Sequence, residues 1–170
     1  MAAGNTYEAI ATNTLTSTAT SVTFSSIPSI YTDLILVVNG ALTSGAQDIW
    51  LQVNGDTSTN YSRTNLYGTG TVAGSTQLSN QTKYGQDDSA ALDAQLSNYS
   101  TIVHFMNYSN TTTYKTYIKR ANNGASGRGV DASVGLWRST AAMNSILIYN
   151  SGGTNYAVGS TFSLYGIKAA

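Results

Sequence analysis

The chain has 170 residues, of which only 9% are charged, and its 8 basic and 8 acidic residues give a formal net charge of zero. An average soluble domain carries about 25% charged residues, so this chain has little electrostatic attraction for nucleic acid or anionic membrane. It contains no cysteine, which excludes disulfides, thiolate metal ligands and thiol nucleophiles. The length predicts a single domain over residues 1–170.

The first part of the chain predicts short strands separated by polar turns. Tyr7–Leu15 is a first strand of mostly small residues. Ser21–Phe24 is a second, which ends before Pro28 because proline cannot donate to a strand ladder. The N-terminus has neither a basic residue nor an apolar core, so no signal peptide is expected.

The strongest strand signal is the apolar run Leu34–Val38, which is followed by Asn39–Gly40. Because it is apolar on both faces, it predicts a strand inside a two-layer core. A second run, Ile49–Val53, is closed by Asn54–Gly55, a pair typical of tight turns. These two runs predict the centre of the fold.

The middle of the chain has weaker signals. Arg63–Tyr67 alternates and predicts a strand, whereas residues 69–88 lack periodicity and predict a long surface loop with at most one short strand. Ser89–Leu96 is the one passage that favours a turn or two of helix.

Strands return in the last part of the chain. Thr101–Tyr108 and Tyr114–Arg120 are joined by a short Asn-containing turn and predict a hairpin. Further strands are predicted over Ser133–Ser139, Met143–Tyr149 and Thr161–Lys168.

About eight to ten short strands with turn signals between them, long polar loops and no βαβ alternation favour an all-β, antiparallel, jelly-roll-like β-sandwich. The predicted core consists of apolar residues at alternate strand positions: Leu34, Leu36, Val38, Leu51, Val103, Phe105, Ile118, Leu136, Ile146, Ile148, Phe162 and Leu164.

Residue patterns that would indicate chemistry are weak. His104, the single histidine, lies in a predicted strand and has no partner motif, so a structural role is expected. The adjacent Asp87 and Asp88 fall in a predicted loop, and Asn54-Gly55-Asp56 lacks the spacing of a calcium loop. The sequence therefore predicts no catalytic residue, no cofactor and no metal site.

Two kinds of contact remain open. Lys115, Lys119 and Arg120 lie close to tyrosines, a combination that can bind single strands, but the zero net charge argues against nucleic acid. The near-neutral, tyrosine-rich composition instead favours self-association, and a symmetric trimer is predicted. Four aromatic residues are the candidate interface anchors: Trp50, Tyr61, Tyr67 and Trp137.

Five segments resemble small virion structural proteins of tailed bacteriophages, especially those of cyanobacteria and marine bacteria. They are SSIPSIYTDLILVV (25–38), VNGDTSTNYSRTNLYG (53–68), MNYSNTTTYKT (106–116), VGLWRSTAAMNSI (134–146) and GSTFSLYGIK (159–168). The resemblance spans most of the chain. It implies a virion component that is made in the host cytoplasm and is either capsid-decorating or tail-associated, without catalytic residues to carry over.

Two functional hypotheses follow from the resemblance. The first is a non-enzymatic capsid decoration or cement subunit whose partners are other virion proteins. The alternative is a tail-fibre or receptor-binding module that holds host surface glycan on Tyr and Trp faces. An enzyme ranks third, since no nucleophile–base or metal constellation is visible.

Overall fold

The computed structural model describes residues 6–85, 98–123 and 130–168. These ranges contain eleven strands and no helix. The strands are β1 (Tyr7–Thr14), β2 (Ser21–Phe24), β3 (Asp33–Gly40), β4 (Ile49–Val53), β5 (Tyr61–Gly68), β6 (Ala73–Gln81), β7 (Tyr99–Met106), β8 (Lys115–Asn123), β9 (Val130–Trp137), β10 (Ile146–Asn150) and β11 (Thr161–Ile167).

The strands form two antiparallel sheets. The large sheet has the order β1-β11-β3-β7-β8-β9-β5-β6, and the small sheet has the order β2-β10-β4. The chain crosses between the sheets six times: from β1 to β2, from β2 to β3, from β3 to β4, from β4 to β5, from β9 to β10 and from β10 to β11. This winding is jelly-roll-like and confirms the predicted β-sandwich. Strands β8, β9, β5 and β6 extend the large sheet beyond β7.

Of the two strands predicted to be central, β3 lies inside the large sheet between β11 and β7, whereas β4 is an edge strand of the small sheet. In β3, Leu34, Leu36 and Val38 are fully buried against the small sheet. Asn54 and Gly55 both have positive φ, and the Asp56 amide donates to the Val53 carbonyl at 2.9 Å, as expected for a two-residue turn. The first Asn-Gly pair does not end its strand, because Asn39 and Gly40 continue the ladder opposite Ser100 and Tyr99.

One cluster of buried aromatic rings fills the core beneath the extended half of the large sheet. Tyr84 is at its centre, with its ring centroid 4.8 Å from Tyr61, 4.3 Å from Tyr117 and 6.3 Å from Phe105. Trp137 stacks on Tyr61 at 6.4 Å. The small sheet has only three strands and leaves a wide space under the extended half of the large sheet. We attribute the presence of large aromatic side chains here to the need to fill that space.

Ten of the twelve predicted core residues are buried, and two are wrong. The Ile118 side chain is 47% exposed and Leu136 is half-buried, because the opposite faces of β8 and β9 point inward. Tyr117 is buried instead, and its ring lies where a Cβ on Gly135 would be. Tyr117, opposite Gly135, therefore occupies the core on β8 and β9, where Ile118 and Leu136 were predicted to lie.

The prediction of a long loop with at most one short strand over residues 69–88 is right in allowing a strand but wrong in its extent, since β6 occupies the nine residues Ala73–Gln81 and pairs with β5. This edge strand is largely exposed on both faces and has one large apolar residue, Leu78, so the usual alternation is absent from its sequence. The helix predicted over Ser89–Leu96 lies outside the described residues.

Candidate contact surface

The face of the large sheet that points away from the small sheet, here called the outer face, is unusually apolar. Ile118 on β8 is directly opposite Val134 on β9, and Leu66 on β5 is opposite Ala132. Val130 extends the same face of β9 by two further positions. Leu66, Ile118, Val130 and Val134 are 60%, 47%, 64% and 55% exposed, and we call them the apolar patch.

The apolar patch stands out among the exposed residues. Within the described ranges nine large apolar side chains are exposed, and four of them lie together on these three neighbouring strands. Single exposed apolar residues are normal on a protein surface. A contiguous exposed apolar group on one face, in contrast, is typical of a site that contacts another molecule.

A groove runs beside the apolar patch at the ends of β5, β8 and β9. Its volume is about 680 Å³, and its lining includes Leu66, Ile102, Arg120, Val130 and Ala132. A second, shallower depression of about 310 Å³ lies at Val134 and Leu136. The outer face therefore has protruding apolar side chains with depressions beside them. A protein surface of complementary shape could pack against it.

The charges on the outer face are few and mostly compensated. His104 Nε2 lies 2.8 Å from Asp33 Oδ2, and Asp33 Oδ1 accepts a hydrogen bond from the Asn107 amide at 2.7 Å. Asn107 has a positive φ of 52°, so this pair fixes the turn that follows β7. His104 thus has the hydrogen-bonded position expected of a structural residue, and Arg120 is an exposed cation that lines the groove together with Leu66 and Val130 of the apolar patch.

Two of the four predicted interface anchors lie inside the core. Tyr61 is fully buried and Trp137 is 2% exposed, so their rings are not available to a partner in this conformation. Trp137 Nε1 donates to Asp56 Oδ2 at 2.7 Å, and Asp56 also accepts from Asn60 Nδ2 at 2.9 Å and from the Ser58 amide at 2.8 Å. Burial opposes ionisation of this carboxyl, but these hydrogen bonds outweigh it and lower the pKa of Asp56.

The other two predicted anchors are partly exposed, and their interface role stays a prediction. Tyr67 is half-buried at the end of β5. Trp50 is half-buried on the small sheet, where Lys83 Nζ lies 3.4 Å from its ring centroid and Tyr149 packs against it edge-on at 5.4 Å. The indole of Trp50 is thus already covered by its own chain.

The inner face of the extended half carries a buried polar network. Asp131 Oδ2 accepts a hydrogen bond from Asn65 Nδ2 at 2.8 Å, and Asp131 Oδ1 accepts one from Ser133 Oγ at 3.3 Å. Lys119 Nζ lies 3.7 Å from the same Oδ1. Lys115 is also buried and donates to the Thr113 carbonyl at 2.7 Å, and burial lowers its pKa. Two of the three cations considered for nucleic-acid contact therefore point into the protein.

In the part of the chain that the structure describes, no group of three or more His, Cys, Asp or Glu side chains could hold a metal ion. The described ranges also contain no helix that is long and apolar enough to cross a membrane. Asp87 and Asp88 lie outside these ranges.

The apolar patch was missed because its residues were either assigned to the core or left out of the interface candidates. The signal that could have found it is the alternation in β9, where Val130, Ala132, Val134 and Leu136 share one face. The opposite face contains Asp131, Ser133, Gly135 and Trp137, and it looks like the less apolar of the two. On that face Gly135 is paired with Tyr117, whose ring fills the space above the glycine, and the pattern of β9 alone does not show this pairing.

No family model, no curated protein and no solved structure matches this chain. The resemblance to phage structural proteins therefore stays a prediction from the sequence segments.

Proposed function

We propose that this chain is a non-enzymatic structural subunit of a tailed-phage particle, where it decorates or cements the capsid as a symmetric trimer. The observation that carries the proposal is the outer face, a broad, nearly uncharged sheet surface with an exposed apolar centre. Such a surface suits permanent protein contact, because charged residues are depleted at the centres of protein interfaces. The proposal that this contact is made in a phage particle rests on the sequence resemblance to phage structural proteins.

The position of the aromatic residues favours this role over the glycan-binding alternative. Glycan recognition on Tyr and Trp faces requires open rings, whereas Tyr61 and Trp137 lie in the core. The Trp50 ring already has Lys83 over it and Tyr149 at its side. Tyr67, the fourth predicted aromatic anchor, is half-buried, and its ring lies over Gly74 of β6.

The experiment is localisation on the particle. Purified virions of the phage that encodes the chain are analysed by mass spectrometry and by electron microscopy with a bound antibody fragment. We expect label distributed over the capsid, and we expect the purified protein to rebind capsids that lack it until the sites are saturated. Absence from purified virions would refute the proposal, and label confined to the tail tip would support the receptor-binding alternative.

A further inference from the structure

We infer that the apolar patch on β5, β8 and β9 is the surface through which copies of this chain associate. This deepens the proposed function by naming the subunit interface, and it replaces Tyr61 and Trp137 with Leu66, Ile118, Val130 and Val134 as the contact residues. The occupant of this surface is a second copy of the chain.

The size of the outer face fits a stable subunit contact. Six adjacent strands, β11, β3, β7, β8, β9 and β5, form it. At about 4.8 Å between strands and about 3.3 Å per residue over about eight residues, they outline roughly 750 Å². A standard stable interface buries about 800 Å² on each partner, so burial of the whole outer face would give a contact of about standard size.

The charge distribution favours a second copy over a partner of opposite charge. The chain has a formal net charge of zero, and the Asp33 carboxylate on the outer face is held by His104 and the Asn107 amide. Two identical surfaces of this kind do not repel each other, whereas a strongly charged partner would gain little from them. Among the described residues, Arg120 is the cation that lines the groove, and it lies at the margin of the apolar patch, where solvent can still reach it.

The shape of the outer face is also compatible with its own copy. Two faces of the same sheet have the same twist and the same pleat, which is the condition under which sheets pack face to face. The groove of about 680 Å³ lies next to the protruding Ile118 and Val134 side chains. Face-to-face packing of two identical faces gives a two-fold dimer, whereas a trimer forms if a patch residue of each subunit fills the groove of the next subunit around a three-fold axis.

The first test changes the apolar patch without touching the core. Val134→Asp places a charge at the centre of the patch, and Ile30→Asp places the same charge at a 69% exposed residue outside the large sheet. Sedimentation equilibrium at micromolar concentration should show a trimer for the wild type and for the Ile30 variant. The Val134 variant should associate about 30-fold or more weakly, the size of a central interface contact. The far-ultraviolet spectrum of each variant reports whether the fold is kept.

The second test leaves the interface apolar and uses the absence of native cysteine. Val134→Cys and Ile30→Cys each give the protein a single thiol. Modification of the thiol at position 134 should slow as the protein concentration rises, whereas modification at position 30 should not. Association should change little between low and high salt, because charge contributes little to the contact.

The outcomes separate this inference from the proposed function. A strict monomer, or equal protection of both thiols, overturns the inference. If the thiol at 134 is protected in virions but not in the free protein, another virion protein covers the patch and the inference fails while the function stands. If the patch mediates association but the chain is absent from virions, the function fails while the inference stands. A patch-dependent dimer supports the surface and corrects the trimer.

Discussion

Asp56 provides the sharpest test of how this fold is stabilised, because one carboxylate joins the turn after β4 to the end of β9. Its Oδ2 accepts from Trp137 Nε1 and Asn60 Nδ2, and its Oδ1 accepts from the Ser58 amide. Asp56→Asn keeps the shape but removes the charge and replaces one acceptor oxygen with a donor. At least one of the three donors then loses its partner.

We expect Asp56→Asn to lower the free energy of unfolding by about 2–4 kcal/mol near neutral pH, from weaker bonds to an uncharged oxygen and one unmatched buried donor. The pKa of Asp56 is lower in the folded state than its ordinary value of 3.8. The stabilisation is therefore fully present above that value and is lost as the pH falls through the folded-state pKa. The difference between wild type and variant should shrink on acidification.

The assay is urea unfolding followed by tryptophan fluorescence, repeated from about pH 7 to about pH 2.5. Trp137→Phe and the double variant complete a cycle that isolates the Asp56–Trp137 hydrogen bond. Trp50→Phe is the matched control, because it removes the same atoms from an indole whose Nε1 has no hydrogen-bond partner. A difference that stays constant across this pH range, or a cycle without coupling, would refute the reasoning.

The remaining predictions compare matched positions in the large sheet by urea unfolding. Leu36→Ala should cost about 2–5 kcal/mol because Leu36 is fully buried. In the dissociated monomer Ile118→Ala should cost less than about 1 kcal/mol, because that side chain is 47% exposed when no second copy covers it. Similar costs in the monomer would contradict the assignment of the two faces of β8. Gly135→Ala should cost about 1–3 kcal/mol or more, since its Cβ would overlap the Tyr117 ring. Gly68→Ala is the control, because its Cβ would meet nothing closer than Val130 Cγ2 at 3.9 Å; equal tolerance at both glycines would show that Tyr117 does not fill the space over β9.

Much of the sandwich could be predicted from the sequence because its central strands carry a strong local signal. Leu34–Val38 and Ile49–Val53 are apolar runs of the right length, and the Asn54–Gly55 turn has the backbone that its residues favour. The edge strand β6 could not be predicted in this way, since it is stabilised by hydrogen bonds to β5 rather than by burial of its own side chains. Local patterns report burial, and an edge strand has little of it.

The contact surface could not be predicted because alternation identifies two faces of a strand without saying which one is buried. In β8 the choice was between Ile118 and the face that carries Lys115, Tyr117 and Lys119, and single-residue hydrophobicity favours Ile118. The face with Lys115, Tyr117 and Lys119 can be buried because both ammonium groups have polar partners. Lys115 donates to the Thr113 carbonyl, and Lys119 lies near Asp131.

That inversion has a consequence for assembly. Once Tyr117 and the buried lysines occupy the inside of β8 and β9, the aliphatic residues of these strands must face outward, so core packing and the apolar patch have one origin. A variant that restored the predicted orientation would have to bury Ile118 and Val134 and expose Lys115, Lys119 and Asp131, and it would lose the patch in doing so. We therefore expect changes that keep the inner face intact, such as Val134→Asp, to reduce association while the monomer stays folded, because the buried side chains and the strand pairing of β9 are left unchanged.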